Sequence, residues 1–363
     1  MPHPLSGADL GTLAAAVARA GVPGKPLALA AIFGSVVGRL PFSVAERLLI
    51  EKSLPREEDL EPPVFILGHW RSGTTHLYNA MCKSGAWSYV PPLATGLPWD
   101  MFGIGRAFRP MLERALPEHR YIDNIPVTPE SPQEDEIALA NMTPLSFYHG
   151  IYFPAKFDEF LNRGVFFDGC TSAEIAGWRS RFIYLLRKLS KLQDGRRLLI
   201  KNPVYTARLS MLREIFPRAK FVHIARNPYD VFQSMRNFYR KLFAEFALQS
   251  YDHIDIDETV FSVYERMMTA LAADSRGLAT PDFVELRYEE LDRDGLSALE
   301  KIYRSLDLAG FDAARGVFER YLASVKQFEK NRFDYSAEDA KKVEARLGRF
   351  IEQGRYRRPG AAA

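Results

Sequence analysis

Residues 63–82 contain the groups best suited to hold an anion. An apolar run, Val64–Leu67, leads into Gly68, and a short polar loop then ends in the sequence RSGTT at residues 71–75. A helical pattern follows, so the order is strand, glycine loop, helix. In this arrangement successive backbone N–H groups and the positive end of the helix dipole point at a bound anion. The segment therefore predicts an anion-binding loop.

The loop has the spacing of a P-loop with one departure. Between Gly68 and Thr75, the position that normally holds lysine holds Thr74. In ATPases and kinases that lysine reaches the β- and γ-phosphates, so its absence argues against an ATP-dependent P-loop kinase, which remains one alternative. The cation of this loop is Arg71, three residues earlier.

A second segment, residues 219–235, contains groups for one more phosphate. Phe221–Ile224 is typical of a buried strand, Arg226 follows its end, and Pro228 suits the first turn of a helix. Ser234 comes about two helical turns after Arg226. A strand-end arginine and a helix serine could converge on a single phosphate group.

Together these two segments resemble the sulfotransferases that use 3′-phosphoadenosine 5′-phosphosulfate (PAPS), and most of all the bacterial and tyrosylprotein branch. RSGTT and RNPYDVFQS carry the resemblance, which covers residues 62–91 and 197–236 and extends to 283–291. It implies a three-layer, P-loop-like α/β fold and transfer of a sulfuryl group from PAPS to a hydroxyl. It also implies release of 3′,5′-adenosine bisphosphate and no metal.

The resemblance implies a role for each group of the two segments. Arg71 takes the place of the family's P-loop cation and is expected at the 5′-phosphosulfate. Arg226 and Ser234 resemble the pair that binds the 3′-phosphate, with an ion pair between Arg226 and Asp230 as the alternative. The remaining loop residues would offer backbone N–H groups and hydroxyls, or would simply cap the helix: Ser72, Gly73, Thr74 and Thr75.

Three further residues resemble family positions. Lys201, in RLLIKNPVY, resembles a second cation near the bridging oxygen and is expected to stabilise the transition state, with a surface lysine as the alternative. His76 takes a place where related enzymes often carry an aromatic residue against adenine, and imidazole can stack in the same way. Tyr288, in VELRYEEL, resembles a tyrosine near adenine, or is a half-buried tyrosine at a strand–helix junction.

The residue that acts as general base is the least clearly indicated group of the site. Related enzymes use a histidine, or a glutamate soon after the P-loop helix, but residues 84–95 contain neither. The best candidates are Glu134, Asp135 and Glu136, which resemble a PxEDE-like stretch of the bacterial branch. Ser131 could cap a helix there, with Pro132 in its first turn, so compensation of the helix dipole is the alternative. His149 is the other candidate, although a lone histidine among aromatics is more often a packed residue.

The elements that must position these groups alternate between strands and helices, which predicts an α/β fold with a mainly parallel sheet covered on both faces. About five strands are expected, at 63–67, 86–90, 197–200, 220–224 and 283–287. Helical patterns occupy 73–83, 132–142, 173–193, 204–215, 228–247, 257–276, 295–306, 311–323 and 336–353. Because ligands bind beyond the carboxyl ends of such strands, one site would collect Gly68, Lys201, Arg226 and Tyr288.

The expected organisation is a helical N-terminal extension at 1–55, a sulfotransferase domain at 56–356 and a disordered tail at 357–363. Residues 91–132 are rich in Pro and Gly and are expected to form a long loop over the active site. Residues 27–37 are apolar, but cover only about half of the ~20 residues that a membrane span needs. A helical run at 44–54 follows, and peripheral contact of this region with a membrane is one interpretation.

Composition limits the function classes further. The chain has 363 residues and a net charge of +3, too small for a general nucleic-acid binder. Two cysteines are too few for a disulfide framework, so a cytoplasmic protein with reduced cysteines is expected. The seven histidines are dispersed and offer no metal motif. The oligomeric state stays open. A non-catalytic nucleotide-binding protein is the remaining alternative.

The acceptor is expected to be a small molecule. If the large apolar residues of the middle region line its pocket, a hydrophobic alcohol, phenol or lipid is favoured over a charged sugar chain, but the same residues could be core. They are Trp87, Tyr89, Trp99, Met101, Phe102, Phe147, Tyr148, Tyr152 and Phe153.

Overall fold

The computed structural model describes residues 3–21, 24–114, 116–118, 122, 126–326 and 335–359. Its strands are β1 (Val64–Leu67), β2 (Leu199–Lys201), β3 (Lys220–Ala225) and β4 (Phe283–Arg287). Its helices are α1 (Leu10–Ala20), α2 (Pro26–Ile50), α3 (Thr74–Cys82), α4 (Pro92–Gly96), α5 (Ile104–Ala107), α6 (Arg109–Arg114), α7 (Asp135–Leu139), α8 (Tyr148–Tyr152), α9 (Phe157–Phe166), α10 (Ser172–Leu192), α11 (Leu209–Ile215), α12 (Pro228–Phe246), α13 (Ile256–Asp274), α14 (Tyr288–Arg293), α15 (Gly295–Ser305), α16 (Phe311–Val325) and α17 (Ala337–Gln353).

The strands form one sheet in the order β2-β1-β3-β4. β1 pairs in parallel with β3, and β3 in parallel with β4, with Leu67 opposite His223 and Ala225 opposite Arg287. All four residues of β1 and the central four of β3 are buried, as expected of parallel strands covered on both faces. The predicted α/β fold, with a parallel sheet flanked by helices, is confirmed.

One of the five predicted strands is missing from the described part of the chain. Residues 86–90 make a single bridge, in which Ser88 N donates to Arg197 O at 2.8 Å and Leu199 N donates to Ser88 O at 2.9 Å. The pairing stops there because Pro91 and Pro92 follow and have no N–H group to continue a ladder. Most of this segment is buried, as predicted, but the predicted strand of five residues is wrong.

The predicted helices fit the structure closely, with two differences. The pattern at 204–215 is a 3₁₀ turn, Pro203–Ala207, followed by α11, because Arg208 between them has an extended φ of −136°. The pattern at 132–142 forms only the short helix α7. Elsewhere α3, α12 and α17 agree with prediction to within one residue at each end.

The chain divides into two compact units. Unit 1 consists of residues 1–61, 87–200 and 241–254, so α1 and α2 belong to the same unit as the middle of the chain. Unit 2 consists of residues 62–86, 201–240 and 255–363, and contains β1, β3 and β4. The domain boundaries predicted from the sequence, after residues 55 and 356, stay predictions.

Two predicted irregular regions are only partly described. Residues 91–132 contain the short helices α4, α5 and α6, while 115, 119–121 and 123–125 lie outside the described residues. The role of this region as a loop over the active site stays a prediction. Of the predicted tail, residues 360–363 lie outside the described residues.

Helix α2 is longer than the sequence indicated. The apolar run ending at Val37 and the later helical run are parts of one helix, which continues through Gly38 and the internal Pro41. By length and composition Pro26–Ser53 could cross a membrane, with a mean hydropathy of 1.7 in its most apolar window. Only 11% of that window is buried within the protein.

Candidate active site

The loop between β1 and α3 has the backbone conformation of an anion-binding loop. Gly68, Arg71 and Gly73 have φ values of 147°, 69° and 98°, in the region that favours glycine. A Cβ on Gly68 would lie 2.6 Å from the carbonyl oxygen of Ile224, and one on Gly73 would lie 2.3 Å from Cδ2 of Tyr288. Both glycines are therefore required by close approach, and the left-handed residues turn the backbone as a nest requires.

The hydroxyls of this loop do not cap α3. The N-cap is Gly73, which has no side chain to accept a hydrogen bond from the first turn. Ser72 is 2% exposed, and its Oγ has no hydrogen-bond partner among the described residues. Because a buried hydroxyl without a partner is costly, its position suits a ligand that accepts its hydrogen bond. Thr74 is also buried.

The arginines and the serine expected at phosphate groups lie together in unit 2. Arg71 Nε donates to Ser234 Oγ at 2.8 Å, and Arg226 Nη1 donates to the carbonyl oxygen of Arg71 at 3.0 Å. The Arg226 guanidinium lies over the Tyr288 ring, 4.4 Å from its centroid. Arg71, expected at the 5′-phosphosulfate, thus contacts a residue expected at the 3′-phosphate. Their roles in binding stay predictions.

The alternative role for Arg226, an ion pair with Asp230, is weak in the structure. Arg226 Nε and Asp230 Oδ2 are 3.9 Å apart, beyond hydrogen-bond distance. Asp230 instead accepts a hydrogen bond from the hydroxyl of Tyr335. The buried Nε of Arg226 has no hydrogen-bond partner within the described ranges, so this guanidinium has a donor suited to a ligand.

Lys201 is not a surface residue, because it is only 2% exposed at the end of β2. Its Nζ donates to Thr75 Oγ1 at 3.3 Å, which joins the second predicted cation to the loop at the start of α3. Asn202 follows, and its side chain accepts from Val204 N at 3.0 Å to begin the 3₁₀ turn. The contact of Lys201 with Thr75 places a buried cation beside the positive end of α3, an arrangement that suits an anionic ligand.

Two residues of the site region carry no signal in the sequence. Thr206 Oγ1 accepts the N–H of Gly68 at 2.8 Å, and thereby ties the 3₁₀ turn after Lys201 to the loop. Tyr321, on α16, lies near His76 with ring centroids 6.5 Å apart. Burial raises the pKa of Tyr321 to about 12. Both come from segments distant in sequence, so no local pattern identifies them.

The three predicted acids lie in unit 1 at the start of a helix, as predicted, but the residue expected to cap that helix does not do so. Glu134 is the N-cap of α7, and Asp135 and Glu136 are in its first turn. Ser131 does not cap this helix, because its Oγ accepts the N–H of Thr128 at 2.8 Å in the preceding turn. The predicted cap was wrong because this turn competes for the serine hydroxyl.

All three acids are buried, so simple compensation of a surface helix dipole does not describe them. Glu136 is fully buried and its Oε1 accepts from Ser146 Oγ at 2.7 Å, which gives it a structural partner. Burial, together with the charge of Glu136, raises the pKa of Tyr152 far above its ordinary value. Glu134 is 8% exposed and Asp135 is fully buried. The role of any of them as base stays a prediction.

His149 is a packed residue. It is fully buried, with Nδ1 3.2 Å from Pro144 O and Nε2 2.8 Å from Ala140 O. Burial lowers its pKa. With both ring nitrogens at carbonyl oxygens, His149 is poorly placed to take a proton from an acceptor.

Most of the nine apolar residues predicted to line an acceptor pocket belong to the core of unit 1. Only Tyr89 and Phe102 are partly exposed. The other seven are buried: Trp87, Trp99, Met101, Phe147, Tyr148, Tyr152 and Phe153. Trp99 also donates its indole N–H to Asn141 O at 2.9 Å. The structure therefore favours the core interpretation for these seven.

Comparison with known proteins decides between the remaining interpretations. A profile described as "Sulfotransferase family" matches residues 62–313, more than half of the chain. The chain belongs to the sulfotransferase family. It is an enzyme of sulfuryl transfer, so the kinase and the non-catalytic nucleotide-binding protein are no longer supported.

Relatives of this sulfotransferase come from mycobacteria. It is 30% identical over 304 residues to the omega-hydroxy-beta-dihydromenaquinone-9 sulfotransferase Stf3 of Mycobacterium bovis, covering 82% of this chain and 76% of the relative. The crystal structure of sulfotransferase STF9 from Mycobacterium avium superposes with a TM-score of 0.70 at 14% identity, covering 97% of both chains. STF1 from Mycobacterium tuberculosis gives 0.61 at 18% identity, covering 93% of this chain and 90% of STF1. These two structures support the fold.

Proposed function

We propose that this sulfotransferase uses PAPS as its donor and transfers the sulfuryl group to a hydroxyl of a hydrophobic, lipid-like acceptor. The observation that carries the donor is the arrangement of cations in unit 2. One group is Lys201 with Thr75 and the loop cation Arg71, and the other is Arg226 with Ser234, which both contact Arg71. PAPS has two separate anionic groups, a 5′-phosphosulfate and a 3′-phosphate, whereas ATP has one phosphate chain.

The residues in hand suit the chemistry of this transfer. The bond between sulfur and the bridging oxygen breaks, the acceptor oxygen bonds to sulfur, and negative charge develops on the leaving phosphate. Lys201, buried and directed at the loop, is the cation we place at that developing charge. The acceptor's proton passes to a carboxylate, for which we propose Glu134 or Asp135, since Glu136 already accepts from Ser146.

The proposed acceptor class rests on the relatives. The curated relatives at 30% identity are named for sulfation of an omega-hydroxy dihydromenaquinone, a hydroxylated isoprenoid lipid. We therefore expect turnover of a long-chain isoprenoid alcohol in detergent, detected as a sulfate ester by mass spectrometry. Equal turnover of a water-soluble sugar would contradict a hydrophobic acceptor.

The donor is tested by calorimetry with 3′,5′-adenosine bisphosphate, 5′-AMP and ATP with magnesium. We expect the bisphosphate to bind most tightly. Arg226→Ala should weaken its binding by about 10- to 150-fold, since a charge-assisted contact contributes roughly 1.5–3 kcal/mol. Binding of 5′-AMP should change much less, because it lacks the 3′-phosphate.

Arg213→Ala is the matched control, since it removes an exposed arginine from α11. An equal loss for both nucleotides in Arg226→Ala would show that this arginine acts structurally. Preference of the wild-type enzyme for ATP with magnesium would overturn PAPS as the donor.

A further inference from the structure

Helix α2 turns its polar residues toward the protein. Ser35, Arg39, Ser43 and Glu46 follow one another at helical spacing and form one stripe. Arg39 donates from Nε and Nη2 to the carbonyl oxygen of Ser6 at 3.1 and 2.8 Å. Ser35 Oγ donates to the same oxygen at 3.3 Å. This half of the stripe thus binds the backbone at the start of unit 1.

The rest of the stripe is bound to buried charges. Arg39 forms an ion pair with Asp100, whose Oδ1 also accepts from Ser43 Oγ at 2.6 Å. Asp100 is fully buried. These contacts, all within unit 1, hold the middle of the helix in one orientation about its axis.

Glu46 completes this attachment near the end of α2. It is 5% exposed, accepts from Phe102 N and Gly103 N at 2.9 and 2.6 Å, and pairs with Lys188 Nζ at 2.8 Å. Lys188 is fully buried, and burial lowers its pKa. Removing either partner would leave a buried charge, so the polar face of α2 is firmly committed to the protein.

The rest of the surface of α2 is apolar and exposed. Its large side chains are strongly accessible, with exposures of 86% at Leu27, 56% at Phe42, 72% at Leu48 and 79% at Leu49. From Pro26 to Ala45, no exposed position of the helix holds a charged residue. A surface helix of a soluble protein normally has the reverse arrangement, with its apolar face inward. The exposed face therefore requires a non-aqueous neighbour.

That neighbour is not the interior of a membrane that the helix crosses. Arg39 and Glu46 are bonded to charged groups of unit 1, and those groups would have to enter the hydrocarbon with the helix. A helix with one committed polar face and one apolar face instead lies in the plane of the interface, with only the apolar face in lipid.

The charges at the two ends of the apolar face indicate what it faces. Lys25 precedes the face, Arg47 lies near its end beside Leu48, and Lys52 follows it. All three are exposed, with Glu51 as the acid between Arg47 and Lys52. If a second copy of the chain covered the face, parallel or antiparallel helices would bring these cations near each other. An anionic lipid surface complements them.

We propose that the outer face of α2, made of Leu27, Val37, Phe42, Val44, Leu48 and Leu49, docks this enzyme on the surface of a lipid bilayer with anionic headgroups. This inference concerns attachment and stands without the proposed donor or acceptor. Its consequence for function is that a lipid acceptor need not leave the bilayer to be sulfated.

The test is flotation of the full-length enzyme with vesicles of phosphatidylcholine alone or with about a third phosphatidylglycerol. We expect binding to the anionic vesicles that weakens with salt. The triple substitution Phe42→Ser, Leu48→Ser and Leu49→Ser should lower the bound fraction at least tenfold. Its side chains are exposed, so the melting temperature should stay unchanged. Lys25→Glu with Lys52→Glu should also weaken binding, whereas Lys341→Glu, an exposed lysine on α17, should not.

Four results would overturn the proposal. The wild-type enzyme could fail to bind either vesicle, or bind both equally. The triple substitution could bind as well as wild type. Finally, a wild-type dimer in analytical ultracentrifugation that becomes monomeric in the triple variant, without vesicle binding, would show that a second copy covers this face.

Discussion

The loop before α3 and the turn before α7 both bury charged or polar side chains at the start of a helix, but the sign of the charge differs. The loop gathers Arg71, Lys201 and Arg226, whereas the turn gathers carboxylates. N–H groups of a first helical turn attract carboxylates and repel cations. The acidic turn is therefore compatible with its own helix, while the cationic side chains at the loop suit an added anion. The signs of the charges thus favour an anionic ligand at the loop rather than at the turn.

Neutralising a carboxylate of the acidic turn has the largest expected effect on turnover, and it tests whether this turn takes part in the reaction. We predict that Glu134→Gln or Asp135→Asn lowers kcat by about 10²–10⁴-fold, because the amide keeps the shape of the side chain but cannot accept a proton. Nucleotide binding, measured by calorimetry, should stay normal. Glu136→Gln should mainly lower the melting temperature, since Glu136 accepts from Ser146 in the core.

Glu130→Gln is the control for this series, since it removes an exposed carboxylate shortly before the turn. Full activity in both the Glu134 and the Asp135 variants, with native melting temperatures, would make the turn purely structural. The loop before α3 would then serve ligand binding, and the turn before α7 would serve only packing.

Removing Lys201, the buried cation beside the loop, has the second largest expected effect. Lys201→Ala should lower kcat by about 10²–10³-fold and change nucleotide affinity by only a few-fold, because its contact strengthens as charge develops on the leaving phosphate. The melting temperature without nucleotide is measured to show that the variant is folded. Lys241→Ala, an exposed lysine on α12, is the control. An unchanged kcat in a folded Lys201→Ala enzyme would remove this residue from the mechanism.

The sequence predicted the cationic region better than the acidic one, for a physical reason. Gly68 and Gly73 belong to one short strand–loop–helix segment, and Arg226 follows directly from the end of β3. Such features are local, so residue types and spacing identify them. Parallel strands then bring separate segments together at one edge, which is why Lys201 and Arg226 could be predicted near the loop.

Features set by distant segments could not be predicted in this way. Thr206 accepts a hydrogen bond from Gly68, which lies 138 positions earlier, and no local sequence pattern around Thr206 predicts that bond. Ser131 looked like a helix cap, but its hydroxyl is used by Thr128 in a turn. The polar stripe of α2 could not be predicted either, because the partners of Arg39, the carbonyl oxygen of Ser6 and the carboxylate of Asp100, are distant in sequence.

The smallest expected effect concerns the charge of the loop itself. His69 is buried beside Arg71 in sequence, and its Nδ1 lies 2.9 Å from Trp70 O. Burial lowers the pKa of His69 to about 4, so the loop does not add a further positive charge at neutral pH. The unfolded chain, with an ordinary histidine pKa near 6.5, takes up a proton first as pH falls. Stability is therefore lost progressively between about pH 6.5 and pH 4.

For His69 alone this loss amounts to about 2 kcal/mol between pH 7.5 and pH 5, by linkage between the two pKa values. Urea unfolding of His69→Gln over this range should show a shallower pH dependence than wild type by roughly that amount. His253→Gln, at an exposed histidine, is the control variant for the same measurement. A His69→Gln slope equal to wild type would mean that the pKa of His69 is the same in the folded and the unfolded chain. His69 would then add a positive charge to the folded loop below about pH 6.5, and the contrast with the acidic turn would be greater at that pH.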